Sequence, residues 1–462
     1  MNKNTTQPDN MFLVGPLPLL FVKTASPIVL IMLVNGLFTL VDAYFLGEFV
    51  GADALTAVTL MFPLFMMLIA LSTLVSNGFS SIFARLLGAN QKANAGALFW
   101  QAIILSLIIC GLLISLFLFG GYELSLQAAN GSMALADMGH TYMFILIVYS
   151  PLVFVLGINL DALRCEGRLI TMTFITLLSA ALNIWFDYLL IVQFQWGVAG
   201  SAYGTVLAQA CSLLAIMGVR VMGKFATSIE LKNFRFGYSY WLELLALGAP
   251  SSLGYLGVSL SAGVTLYCLQ LWSLENYEAT AGAYGIVTRL MTFTFLPLLG
   301  ISMAFQTIVG NNFGAKNWAR ANGSLTIALG VAFAYCTLIQ TIFFVSRTQI
   351  GFIFVDDANI TSEIGRILPL VSLLLFLFGP LMIMGTYFQA IGDAARAAIL
   401  GLPRTFLFAI PLTLMLPLMF GEQGIWYSGI FSEVLMLVLT ILVLRHRAES
   451  TGYRWGLFLK TS

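Results

Sequence analysis

The sequence predicts an all-α membrane protein: twelve transmembrane helices in two six-helix bundles related by a pseudo-two-fold axis along the membrane normal. Three observations predict this. Hydrophobic residues make up 60% of the 462, charged residues only 9%, where a soluble chain carries about 25% charge. Apolar runs of a bilayer-spanning length recur along the whole chain. The second half repeats signals of the first at a nearly constant offset.

The apolar segments fall at about 24–46, 54–77, 96–119, 138–160, 170–192, 198–221, 243–268, 280–304, 322–346, 367–390, 398–420 and 424–445. The longest polar stretch, around Lys224 to Tyr240, separates the sixth from the seventh. This gives an N-terminal bundle at 1–223, a linker at 224–242, a C-terminal bundle at 243–446 and a tail at 447–462. Three pairs of segments carry the repeat. "LLGANQKANAGAL" (Leu86 to Leu98) matches "NFGAKNWARANGSL" (Asn312 to Leu325) at offset 226. "LRCEGRLITMT" matches "FQAIGDAARAAIL" at 225, and "WGVAGSAYG" matches "QGIWYSGIF" at 227. Six helices per repeat is an even number, so both halves share one orientation, as in parallel-repeat transporters.

Orientation follows the basic residues. Arg85 and Lys92, Arg164 and Arg168, Lys224, Lys232 and Arg235, Lys316 and Arg320, Arg396 and Arg404, and Arg445 to Lys460 occupy alternate loops. Glu48, Asp53, Glu123, Asp137, Glu275, Glu278, Asp356, Asp357 and Glu422 mark the opposite loops, and Arg347 and Arg366 break the rule. The chain is expected to be a multi-pass protein of the inner or plasma membrane with both termini cytoplasmic.

Other classes are excluded by what the chain lacks. Its formal charge of +1 and the absence of a basic cluster argue against nucleic acid. Cys110, Cys165, Cys211, Cys268 and Cys336 are scattered without a CxxC, and His140 and His446 lie far apart. No metal centre, cofactor or catalytic constellation is expected, and an enzyme is not.

An acid inside a membrane helix costs about 2.5–3.5 kcal/mol on insertion scales and is a functional candidate by default. Four qualify: Asp42, Asp161, Asp187 and Glu433. Asn35 precedes Asp42 by two turns on one face, and Pro27 introduces a point of bending in the same helix. Asn183 lies one turn before Asp187, and Thr205 falls at the same depth on the next helix. Asp42, Asn183, Asp187 and Thr205 thus form one oxygen-rich layer suited to a proton, a small cation or a cationic substrate. Asp161 precedes Arg164 by three residues, and a local ion pair explains it. Asn159, Asp161 and Glu433 are secondary candidates.

The stretches "ALNIWFDYLLIVQFQWGVAGSAYGTVLAQ" (Ala181 to Gln209), "VDAYFLGEFVGADALTAV" (Val41 to Val58) and "YFQAIGDAARAAILGLPRTFLFAIPL" (Tyr387 to Leu412) resemble the multidrug and toxic compound extrusion (MATE) transporters. The resemblance implies a secondary antiporter that exports amphipathic, often cationic, drugs or toxic metabolites against an ion gradient. In the branch with an acidic N-terminal lobe, the coupling residues match Asp42, Asn183, Asp187 and Thr205, and the bending proline matches Pro27. The seventh segment, "GAPSSLGYLGVSLSAGV" (Gly248 to Val264), carries no acid. This departs from the branch with a C-terminal cation site and favours H+ as the coupling ion, with Na+ at Asp42 and Asp187 as the alternative. A monomer in the lipid bilayer is expected. The competing reading is a flippase for lipid-linked precursors. Such a protein needs basic residues in its interior, and Arg289 is the one arginine assigned there.

Overall fold

In lipid a backbone N–H or C=O finds no water, so a chain this apolar satisfies its amides within helices. The computed structural model describes residues 10–222, 237–273, 276–355 and 357–460. Apart from one bridge between Arg454 and Phe458, its regular elements are helical. The expected basic markers Lys224, Lys232 and Arg235 and the acids Glu275 and Asp356 lie outside the described residues.

The α-helices are α1 Leu17–Phe45, α2 Ala52–Leu60, α3 Phe62–Gly88, α4 Lys92–Ala128, α5 Met133–Val148, α6 Ser150–Cys165, α7 Leu169–Asp187 and α8 Gly197–Val221. They continue with α9 Trp241–Trp272, α10 Tyr277–Gly314, α11 Trp318–Ser346, α12 Ala358–Ser372, α13 Leu375–Ala390, α14 Ala394–Gly401, α15 Ile410–Met415, α16 Pro417–Phe420 and α17 Gln423–Thr451. Ten uninterrupted spans are long and apolar enough to cross a bilayer, and two bent helix pairs raise the number to twelve among the described residues. The fold class is the expected one.

Both bends fall inside segments that read as single spans in sequence. α5 and α6 meet at 49° around Tyr149. Pro151 sits in the first turn of α6, where its missing N–H is harmless, but it cannot continue the ladder of α5. α12 and α13 meet at 44°. There the Gln340 side chain of α11 repairs the break, donating to Leu373 O (2.8 Å) and accepting from Phe376 N (3.0 Å). One amide side chain thereby satisfies the backbone on both sides of the interruption.

The chain divides into two compact units, Met1–Val14 with Leu30–Tyr255, and Gly15–Val29 with Leu256–Ser462. Each unit holds most of one sequence half and takes one helical segment from the other. In unit 1, the first half of α9 lies against α3. Gly78 and Gly248 let the two backbones approach so closely that an added Cβ would overlap Leu244 O or Leu74 O. Small residues at such a seam are how membrane helices gain dispersion contact. Arg85–Glu243 (2.8 Å) and Asn77–Ser251 (2.7 Å) fix the same seam. Its interior is a cluster built on Met61, Leu68, Cys110, Met143, Phe154 and Val206.

In unit 2, Cys268, Leu269, Val287, Ile364, Leu368 and Trp426 form the corresponding interior. Arg366 is clamped there by Glu363 and Glu422. The tail is held by hydrogen bonds to the rest of unit 2. The chain turns back after α17 so that Leu457 O accepts from Tyr387 Oη (2.7 Å), and Asn322 pairs twice with Leu459 (2.8 and 2.9 Å). Buried Arg447 lies over the Phe388 ring and donates to Gly456 O.

Candidate functional site

α7 carries Asn183 and Asp187 one turn apart, and α8 carries Gly204 and Thr205 side by side. These two pairs interlock. Asn183 Nδ2 donates to Thr205 Oγ1 (3.3 Å). The bare Cα of Gly204 leaves the space that the Asp187 carboxylate occupies, and an added Cβ would collide with Asp187 Oδ1. Asp42 of α1 reaches the same place, where its carboxyl meets that of Asp187. The structure therefore brings together all four residues of the expected oxygen layer.

The electrostatics of this cluster are unusual. Asp187 is fully buried. Among the described residues, neither Asp187 oxygen nor Asp42 Oδ1 receives a hydrogen bond from a protein donor. No arginine or lysine pairs with either acid among them, and no third metal-ligating side chain joins the pair. Two carboxyl groups face to face, one fully buried and one half-buried, repel unless a proton or a cation lies between them. Tyr142 of α5 is within electrostatic reach of both. Sequence reading missed Tyr142, because it lies in an apolar run and nothing distinguishes it from the chain's other tyrosines. Gly204 was missed for the opposite reason: its value is the absence of a side chain.

Backbone irregularity adjoins the pair. A π-helical turn at Leu46–Val50 follows α1 just beyond Asp42, and another at Tyr188–Gln193 begins directly after Asp187. Such turns cluster at functional positions because they break the regular ladder. Asn35 is exposed on α1, two turns before Asp42. Pro27 sits inside α1, three residues before the helix passes from unit 2 to unit 1.

The secondary candidates separate from the pair. Asp161 and Arg164 form the expected i,i+3 ion pair (2.8 Å), buried at the end of α6. Asn159 accepts from Arg220 Nε (3.2 Å). Arg220 also approaches Glu166 (3.7 Å), a residue that sequence reading left among the loop charges. Glu166 is buried just beyond α6, and its desolvation pushes its pKa up to about 7 despite Arg220. Glu433 of α17 belongs to unit 2 and pairs with Arg404 (3.3 Å). Arg404 corrects the sequence reading on one point. It is no loop marker but opens a π-helical segment, Arg404–Ala409, within a membrane span, so Arg289 is not alone there.

Comparison with known proteins agrees with the fold. The model of the MatE family matches residues 27–189 and again 251–415, once in each sequence half. The chain is 23% identical over 423 residues to the multidrug export protein MepA of Staphylococcus aureus (strain MSSA476), covering 90% of this chain and 91% of that protein. MepA of Staphylococcus saprophyticus is 24% identical over 420 residues, with the same coverage. Among solved structures, the fold is similar to that of MATE in complex with MaD3S, with a TM-score of 0.86, 24% identity, and 96% and 99% of the two chains covered. A MOP superfamily transporter from Pyrococcus furiosus gives a TM-score of 0.87 at 23% identity over 98% of this chain and 100% of that one.

Proposed function

The chain belongs to the MatE family, and on that premise we propose that it exports amphipathic, cationic organic compounds by proton-coupled antiport through Asp42 and Asp187. A transporter, not an enzyme, is what the family and the multidrug export relatives support. The observation that carries the coupling reading is the buried carboxyl pair with no cationic partner on the protein among the described residues. In chain order the lobes are 1–223 and 243–446, the linker and both termini are cytoplasmic, and the protein works as a monomer.

The cycle follows from charge. With both acids ionised the layer attracts a cationic substrate. A proton arriving from outside neutralises one acid and weakens retention of that substrate. Asn183 and Thr205 hold the layer's geometry, and α1 bends at Pro27 as its Asp42 end changes charge. Proton release inside resets the layer. Coupling arises because proton and substrate stabilise different charge states of one site. Na+ is the alternative ion, held by the same two carboxylates. The flippase reading gains nothing from Arg404, since Glu433 neutralises it.

The test is efflux of a fluorescent cationic dye from everted vesicles. An imposed pH gradient drives dye movement on this reading, and an equal Na+ gradient at constant pH does not. Dye movement driven by Na+ alone would transfer the coupling to sodium.

A further inference from the structure

Unit 2 holds a second charged group within the membrane, and its geometry differs from an ordinary buried ion pair. Arg404 Nε and Glu433 Oε1 approach to 3.3 Å, but the N–H is not aligned on the carboxylate, and Nε has no hydrogen-bond acceptor. Glu433 Oε2 is buried and also unpartnered. The guanidinium carbon lies over Phe378, 4.2 Å from the ring centroid. No acceptor meets either Nη among the described residues, and neither Nη is among the buried atoms. The backbone at Arg404 is held as well, since Ser432 Oγ donates to Arg404 O (3.0 Å) where the π-helical segment begins.

A structural ion pair would close on itself, with the guanidinium fork turned onto the carboxylate. Here neither Nη meets the carboxylate in a hydrogen bond, and the guanidinium carbon lies over the aromatic ring. One carboxylate oxygen is left without a donor. The protein therefore presents two donors and one acceptor, of opposite charge and side by side. Guanidinium forks of this kind recognise carboxylates in two-point contact. A free buried carboxylate oxygen seeks an N–H of positive charge.

We propose that Arg404, Glu433 and Phe378 form a binding site in unit 2 for an amphipathic α-ammonium carboxylate. The ligand's carboxylate lies on the Nη fork, its ammonium donates to Glu433 Oε2, and its apolar body extends over Phe378. The class follows from the pairing of the protein's own charges: a cation and an anion that stand side by side call for opposite charges carried close together on the ligand. The site stays neutral with or without the ligand, so binding buries no net charge. It stands apart from the ion coupling at Asp42 and Asp187.

The test uses the full-length protein in lipid nanodiscs at equilibrium, without any ion gradient, so failure of the coupling reading leaves the result untouched. The probe is Nε-dansyl-L-lysine, whose fluorescence reports burial. Its methyl ester keeps the ammonium alone, and its Nα-acetyl derivative keeps the carboxylate alone. The variant is R404M/E433Q, which removes both charges together and leaves neither one buried and unpaired. The zwitterion is expected to bind the parent about tenfold or more tightly than either derivative, the order of one charge-assisted contact. The double variant should lose that preference while retaining the parent's elution profile. Single variants R404Q and E433Q should lose the contributions of carboxylate and ammonium, respectively. Equal binding of all three probes to the parent, or an unchanged preference in the double variant, would overturn the proposal.

Discussion

In unit 1, Asp42 of α1 meets Asp187 at the end of α7. One repeat on, 226 residues later, Cys268 of α9 donates its thiol to Thr413 O of α15 (3.4 Å). Thr413 in turn donates to Ser428 (2.9 Å). The two halves thus use one meeting of helices with opposite chemistry. In unit 2 the donors and acceptors close among themselves and the layer is inert. In unit 1 two carboxyl groups face each other, and on the proposed coupling their counter-charge comes from outside. Unit 2 does contain a buried acid, Glu433, but it stands beside Arg404. A membrane acid by itself therefore says little about coupling. What matters is whether the protein supplies its counter-charge.

The comparison breaks most visibly at Glu433. Glu433→Ala should destabilise the protein by about 3–5 kcal/mol, because it leaves the Arg404 charge without its partner. Thermal unfolding in detergent should show a lowered Tm, restored when Arg404→Met is added. Next in size is Gly204→Val, which forces methyl groups into the Asp187 carboxylate at a cost of about 1–3 kcal/mol. Its Tm should fall and gradient-driven efflux should be lost with it. Asp187→Asn should act in the opposite direction to the Glu433 change. The amide gives Asp42 a donor that it lacks and removes a like charge, so the expected gain is about 1 kcal/mol. A drop in Tm for Asp187→Asn would mean that the pair already has a counter-charge in the protein.

A pH-dependent effect concerns Glu166, whose pKa of about 7 lies above its ordinary 4.5. The fold favours the protonated form, so this contribution to stability is full below about pH 4.5. It is lost as the pH rises through 7. Unfolding followed from pH 5 to pH 8 should show a falling Tm, and Glu166→Gln should flatten that component. An unchanged slope in the variant would assign the pH dependence to other groups.

Much of this was legible in the sequence, for reasons that particular residues show. Spans follow from apolar length, and Asp42, Asn183, Asp187 and Thr205 from the rarity of polar residues inside them. Spacing along three helices was enough to set them at one depth, because helical rise is constant. The bends at Tyr149 and beyond Ser372 were not legible, since one depends on a proline placed after the break and the other on Gln340 from another helix. Arg404 was misread as a loop marker because a charge near a span end is ordinarily interfacial. Its partner Glu433 lies 29 residues away, and only the folded chain brings them together.

The account rests on Asp42 and Asp187 taking their counter-charge from outside. The direct measurement is dye efflux under an imposed pH gradient in vesicles carrying Asp42→Asn, beside dye counterflow without a gradient. Loss of the pH-driven component with counterflow retained is the predicted result. Full pH-driven efflux in Asp42→Asn would contradict it.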